Sequence, residues 1–354
     1  MTLKKLSTIC NVQNGYAFDS KFFSKDSKDM PLVRIRDIKT GKTETYYKGA
    51  YSQDFVIHNG DYIIGMDGEF NITEWNGGDA LLNQRVCRII VNSDSVIPRY
   101  ILYFLPIPLK IIEDETPFVT VKHLSSKKLE DVIVPVPSLS DQRRIVDELD
   151  LLSGIIEKKN AQLRTLDELA QSFFAETFEN VNAGWQELPF ERCIEKVKYT
   201  TKLQTKDFLN TGRYPIISQE EDFISGYWDN PADVFRIKKP VVIFGDHTRV
   251  LKYVDFDFVL GADGVRILQP IDELDAQYFY YYLKANPVEN LGYSRHYKLL
   301  KEKIVSLPPL NLQLQFAEKA RFISKQRDII AESVKRTKEL LDSRMDKYFN
   351  CLCL

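Results

Sequence analysis

The clearest pattern of apolar and polar positions in this chain is a heptad seam that occurs twice. In the first, Ile145, Leu149, Leu152, Ile156, Leu163, Leu166, Ala170 and Phe173 follow one another at steps of three, four or seven, and Lys159 is the polar position on the seam. The second, Phe316, Ala320, Ile323, Arg327, Ile330, Val334, Thr337 and Leu341, returns about 171 residues later in the same phase. Each seam predicts a helix of about 40 residues, roughly 60 Å long. A globule of about 130 residues is too small to cover such a rod. Each seam therefore calls for a second helix, and since each helix follows its own globule, the pair is expected to be antiparallel with the globules at opposite ends. Packing of each helix on its own globule alone is the competing expectation. Lys159 and Arg327 either fix the register or extend to solvent.

The helices also begin alike. VPVPSLSDQRRIVDELD, from Val134 to Asp150, returns as VSLPPLNLQLQFAEKAR, from Val305 to Arg321, which sets Pro137, Leu139 and Gln142 opposite Pro308, Leu310 and Gln313. A repeat of roughly 170 residues is too long for a solenoid unit and implies tandem copies of a whole module. The predicted class is α+β: two mixed α/β domains in a tandem pseudo-twofold repeat, separated by two long helices forming an antiparallel coiled coil. The expected boundaries are 1–137, 138–180 for the first helix, 181–308, 309–349 for the second helix, and a tail at 350–354. Within the globules, β-rich runs (Tyr62 to Ile64, Val86 to Val91, Val241 to Phe244, Phe258 to Leu260) abut turn-rich stretches. These are MDGEFNITEWNGGDA from Met66, GDHTRV from Gly245 and GADGVRIL from Gly261. Helical patterns at Tyr100 to Leu105 and Tyr278 to Leu283 correspond, and each precedes a basic segment. One is Thr120-Val121-Lys122-His123 with Lys127 and Lys128; the other is Ser294-Arg295-His296-Tyr297-Lys298 with Lys301 and Lys303.

Composition narrows the class. With 44% apolar and 28% charged residues the chain is ordinary for a globular protein, and a net charge of −2 tells against a protein that simply coats nucleic acid. Local basic clusters remain compatible with that charge. The most apolar stretch, Val96 to Ile112, carries Arg99, Lys110 and three prolines, so no membrane-spanning helix is predicted. The start, MTLKKLSTICNV, lacks the apolar core of a signal peptide. Cys10, Cys87, Cys193, Cys351 and Cys353 form no CxxC pair, which points to a reducing cytoplasm rather than a disulfide framework. Cys351 and Cys353 are too few for a zinc site.

Catalytic motifs do not emerge. Asp229-Asn230-Pro231-Ala232 lacks the second proline and the aromatic that an amino-methyltransferase uses to grip its target, and reads as a turn. Gly261-Ala262-Asp263-Gly264 is too short for a dinucleotide fingerprint, and no GxxxxGK[ST] string is present. Glu157 and Lys159 fall inside the heptad helix, and His58, His123, His247 and His296 show neither metal-ligand spacing nor a triad. No catalytic residue and no metal ligand is assigned.

Taken with the twin proline-leucine-glutamine helix openings, the segments IIGMDGEFNITEWNGGDALLNQRVCRI from Ile63 and IFGDHTRVLKYVDFDFVLGADGVRIL from Ile243 make the chain resemble the specificity subunit of type I restriction-modification systems over essentially its whole length. The resemblance implies two target recognition domains, each reading one half of a split double-stranded DNA target, with the two conserved helices as a ruler. Since the two globules differ in sequence, the target is expected to be asymmetric. The resemblance further implies two methyltransferase subunits, motor-nuclease subunits and a role in phage defence, with methyl donor and ATP/Mg bound by those partners and no cofactor in this chain. At 354 residues, with a tail of only a few residues after Phe349, the chain is short for that family, which puts in doubt an extra terminal segment but not the two-domain reading. Asn and Gln can pair with adenine edges, Arg with guanine, and carboxylates with the cytosine amino group. The candidates for the first half are Asp67, Glu69, Asn71, Gln84, Arg85, Lys122 and His123; for the second they are Asp246, His247, Thr248, Arg249, Arg295, His296 and Tyr297. Two competing classes are a stand-alone modification enzyme, against which the missing motifs tell, and a non-catalytic scaffold or regulator of a restriction system. An acidic DNA mimic would need more negative charge than −2.

Overall fold

The computed structural model describes residues 1–116, 122–179, 184–261 and 263–349. Thr120, Val121, Ala262, Cys351, Cys353 and the 350–354 tail lie outside them. The chain divides into two compact units, one of residues 1–158 with 334–354 and one of residues 159–333. The two long helices, α1 (Leu139–Phe174) and α2 (Leu310–Phe349), each contribute one end to each unit.

Both units are built on one plan. In unit 1 the strands that matter are β1 (Met30–Val33), β2 (Tyr62–Gly65), β3 (Ala80–Leu82) and β4 (Val86–Val91). In unit 2 they are β5 (Tyr214–Ile217), β6 (Val241–Gly245), β7 (Phe258–Gly261) and β8 (Val265–Pro270). An antiparallel sheet orders Cys10–Asn14, β4, β2 and Ile72–Glu74 in unit 1, and Ile194–Glu195, β8, β6 and Leu251–Val254 in unit 2. A second sheet is mixed: β1 pairs parallel with β3 as β5 does with β7, and a short antiparallel strand, Val56–Ile57 or Val234–Phe235, flanks β3 or β7. The near-continuous Val, Ile, Leu and Phe runs of β2, β3, β6 and β7 are buried throughout, as strands covered on both faces must be. The runs expected as strands and the two matching short helices, here Pro98–Phe104 and Ala276–Ala285, are present.

The repeated proline-leucine-glutamine opening has a hydrogen-bonding cause. Gln142 is fully buried at the start of α1, where its Nε2 donates to the carbonyls of Ser95 and Pro137, each at 2.9 Å, and its Oε1 accepts the Ile97 N–H at 2.9 Å. Gln313 repeats this at the start of α2, donating to Glu273 and Pro308 at 3.1 and 2.7 Å and accepting the Asp275 N–H at 2.8 Å. Each amide thus joins the proline turn, the helix start and the entry to the short helix. A matching tyrosine locks that short helix to the last strand: Tyr100 Oη donates to Pro135, and Tyr278 Oη to Ser306, both at 2.8 Å.

Contacts within each unit fix the sense of the helix pair. In unit 2, Lys159 Nζ donates to Ser333, Arg327 Nε meets Asp167 at 2.9 Å, and Phe173 stacks on Phe316 at 5.6 Å. Ascending positions on α1 therefore meet descending positions on α2, and the helices run antiparallel. In unit 1, Glu148 binds Arg344 at 2.9 Å and accepts from Tyr348, while Phe349 sits edge-on to Tyr100 and Phe104. Of the seam, Ile145, Leu149, Leu152, Phe316 and Val334 are buried, whereas Ile156, Leu163, Leu166, Ile323, Ile330 and Leu341 are half-buried. The two polar seam positions both reach across the pair, Lys159 from a half-buried site and Arg327 from an exposed one, so each makes an interhelical contact while Arg327 also stays in solvent.

Replacing Gln142 or Gln313 with Leu removes the amide and leaves three backbone groups without their partners. A loss of about 2–4 kcal/mol is expected on urea unfolding. Hydrogen exchange should show the Ile97 amide losing protection in Gln142→Leu alone, and the Asp275 amide in Gln313→Leu alone.

Candidate nucleic-acid interface

In unit 1 the expected residues converge on the links that leave β2 and β3. Arg85, between β3 and β4, has φ +72°, a left-handed conformation that costs a non-glycine residue about 1 kcal/mol or more. Its carbonyl accepts the Met66 N–H at 2.9 Å, and Met66 in turn accepts the Leu124 N–H at 2.7 Å. This stacks three chain segments at one corner. There Asp67 Oδ1 lies 2.6 Å from His123 Nδ1, and Asp67 Oδ2 lies 3.4 Å from Arg85 Nε. Because the carboxylate accepts, His123 donates from Nδ1. The 3.3 Å approach of Arg85 Nη1 to that nitrogen is then no hydrogen bond, and Asp67 is the group that holds both side chains. Arg85 and His123 remain about half exposed. Glu69 forms a neighbouring set: it binds Lys39 and accepts from Asn71 Nδ2 at 3.3 Å, and these bonds hold its carboxyl below the ordinary range. Gln84 is exposed, held through its N–H to the Tyr16 carbonyl at 2.8 Å. Lys122 departs from the expected cluster, because its Nζ reaches the Glu113 carbonyl at 2.7 Å and caps a helix end.

Unit 2 uses the same frame for different chemistry. Asp246 N–H donates to Gly264 at 2.7 Å and the Asp246 carbonyl accepts the His296 N–H at 2.8 Å, repeating the two bonds of Met66. The frame position of Arg85 is thus taken by Gly264, at φ +97°. A Cβ at Gly264 would lie 2.4 Å from Gln219 Oε1, so the missing side chain makes room for that glutamine. Gln219 receives the His247 N–H on Oε1 at 3.3 Å, and its carbonyl accepts the Thr248 hydroxyl at 2.6 Å. His247 stacks on the almost fully exposed Tyr293 at 5.1 Å. Arg249, also left-handed at φ +62°, donates to the Val288 carbonyl at 3.3 Å, and Arg295 is exposed.

Two expected readers are buried supports instead. Asp246, 1% exposed, accepts from Tyr297 N–H at 2.8 Å and from Arg266 Nη2 at 3.0 Å. Burial raises its pKa, but those two donors outweigh it and hold the carboxyl below its ordinary range. His296 is fully enclosed, with Nδ1 3.0 Å from the Asp246 carbonyl and Nε2 accepting the Leu291 N–H at 3.1 Å. Neither has an atom left for a ligand. Tyr297 is half-buried under the Arg266 guanidinium, 5.1 Å from its ring centre.

Gln219, Arg266, Tyr293 and Lys252 escape a reading of the sequence. Arg266 alone has a signal, as the outward position between the buried Val265 and Ile267. Among the described residues no group of three or more potential ligands is placed to hold a metal ion. Asp229-Asn230-Pro231-Ala232 forms a capped turn, with the Asn230 side chain accepting the Ala232 N–H at 3.1 Å.

Residues 1–165 match the family described as type I restriction modification DNA specificity domain. The chain is 40% identical over 168 residues to the type I restriction enzyme EcoBI specificity subunit of Escherichia coli, a match covering 48% of this chain and 35% of that protein. The crystal structure of a type I restriction-modification system S subunit from M. genitalium superposes over 98% of this chain and 96% of its own, with a TM-score of 0.61 at 14% identity, and so shares the fold. The family match covers just under half of this chain, and the fold is shared over nearly all of it. The Methanocaldococcus jannaschii MjaVIII specificity subunit is 20% identical over 367 residues, covering 91% of this chain and 84% of that one. The match to EcoBI thus spans about a third of that relative's length. No helix among the described residues is long and apolar enough to cross a membrane.

Lys252 offers a pH test of how the unit 2 loops are held. It is 3% exposed and donates from Nζ to the carbonyls of Ser218 and Asp222 at 3.0 and 2.5 Å. Burial brings its pKa down to about 8 against the opposing pull of Asp222 and Glu220. Since the unfolded chain keeps this proton to a higher pH, stability rises with pH between about 8 and the ordinary lysine value of 10.5. Relative to Lys252→Met, the natural chain should gain on the order of 3 kcal/mol across that window in chemical unfolding. A difference independent of pH would contradict it.

Proposed function

We propose that this chain is a type I specificity subunit that reads a split, asymmetric duplex DNA target, one half with each unit, and carries the methyltransferase and motor-nuclease subunits that perform the chemistry. The observation that carries the reading is one hydrogen-bonded frame bearing different side chains at equivalent points. Where unit 1 presents Arg85 beside His123, unit 2 presents a glycine with Gln219 against it, next to His247 and Arg249. A guanidinium suits the O6 and N7 acceptors of guanine, while an amide suits adenine, each good bidentate pair contributing about 1–3 kcal/mol of discrimination. Two unlike reading corners on like scaffolds suit two unlike half-sites. In this reading the chain has no catalytic residue, methyl donor and ATP belong to the partner subunits, and the complex works in the cytoplasm.

Methylated adenines should be mapped in a host expressing this chain with its neighbouring methyltransferase subunit and in a host with the methyltransferase alone. A split asymmetric motif is expected only with this chain; no new methylation from an assembled complex would refute the reading. Arg85→Ala should relax the first half of that motif and Arg249→Ala the second, each by about 1–3 kcal/mol. Equal loss at both halves from either change would contradict the assignment.

A further inference from the structure

The corner of unit 1 that carries Arg85 also gathers cations that neither the frame nor the reading cluster uses. β1 and β3 run parallel with Val33 opposite Leu82, so Arg34-Ile35-Arg36 leaves the sheet at the same edge as Gln84-Arg85. The turn at Ile35–Asp37 then packs on the end of β2, where a Cβ at Gly65 would come within 3.1 Å of the Ile35 and Ile38 side chains. Asp67 is two residues further on. Beside this turn lies an open hollow of about 510 Å³ bordered by Lys25, Arg34, Arg36, Phe23, Thr45 and Glu44.

Three cations face one carboxylate across this hollow, and they are unequally engaged. Arg36 is oriented by the Thr45 hydroxyl at 2.9 Å and by Asp37 at 3.6 Å. Arg34 lies over the Phe23 ring with its guanidinium carbon 6.0 Å from the centre. Among the described residues, Lys25 and Arg34 are paired with no carboxylate. A concave surface with excess positive charge fits a phosphate-bearing polyanion, and its shared edge with the candidate base readers selects the duplex backbone. In unit 2 the segment leaving the equivalent edge after β5 is Ser218-Gln219-Glu220-Glu221-Asp222, whose acidic run is exposed.

We propose that Lys25, Arg34 and Arg36 grip the phosphate backbone beside the first half-site, and that unit 2, acidic at the equivalent place, has no matching grip. The inference rests on the reading of the chain as a duplex reader. The two units would then contribute unequally to affinity while each contributes to specificity, because phosphate contacts position a protein and base contacts inform it.

The test uses the full chain assembled with its methyltransferase subunits. Binding to a duplex bearing the mapped target and to one with the target scrambled is measured over a range of KCl concentrations. For Lys25→Gln/Arg34→Gln, the plot of log affinity against log salt should become shallower by about two, since each phosphate contact contributes about 0.9. Both duplexes should lose affinity by the same factor, on the order of tenfold or more, with the preference for the target unchanged. Neither side chain has a hydrogen-bond partner among the described residues and only the Arg34 contact with the Phe23 ring is lost, so the variant should stay folded with a thermal transition lowered by a few degrees at most. Glu220→Gln/Glu221→Gln should not make the slope shallower. An unchanged slope in the Lys25/Arg34 variant of a selectively binding complex overturns this inference alone, as does loss of target preference without a change in slope. A natural complex that does not distinguish the two duplexes overturns the underlying functional reading instead.

Discussion

A primary amide sealed from water must find its partners inside the protein, and Gln142 and Gln313 have done so in the same way. Each joins a proline turn, the first turn of a long helix and the entry to a short helix through three hydrogen bonds. A buried amide that loses one of these bonds forfeits about 1–3 kcal/mol, so the helix has one low-energy direction of departure from its domain. Everything placed along α1 and α2 inherits that direction. The tyrosines Tyr100 and Tyr278 add a second tether between the short helix and the last strand.

On that fixed base the chain separates support from reading. Groups that hold the loops are buried and saturated: Asp246 and His296 in unit 2, and the backbone bonds of Met66 and Arg85 in unit 1. Arg85, His123, Tyr293 and Arg295 remain exposed; Asp67 holds the first two and His247 stacks on Tyr293. This economy explains how units with little sequence in common keep the same strand order, since the bonds that maintain it run largely through backbone atoms.

The parts legible in the sequence are those with a local period or a repeat. The heptads located both helices, the shared Pro-Leu-Gln openings located the clamps, and short β-rich runs located β2, β4, β6 and β7. The opposite charge of the segments after β1 and β5 was not legible, because a parallel pairing across about 50 residues of chain leaves no periodic trace. Burial of Asp246 and His296 was equally hidden. A polar residue in a Gly-Asp-rich stretch reads as a surface loop unless its partners are known, and those partners, Tyr297, Arg266 and Leu291, come from other elements. Gln219 becomes visible only once the empty space at Gly264 is seen.

The left-handed backbone at Arg85 narrows how this corner can evolve. Branched residues such as Val, Ile or Thr are strongly disfavoured at positive φ, whereas Gly and Asn enter it readily. In the proposed reading a single substitution can therefore silence the position with glycine, the residue the other unit carries at Gly264, or exchange a guanine-type contact for an adenine-type one with asparagine. Apolar recognition of a thymine methyl by a β-branched side chain is sterically closed to it. The backbone angle, set before any nucleic acid arrives, acts as a filter on the specificities that descendants of this chain can acquire.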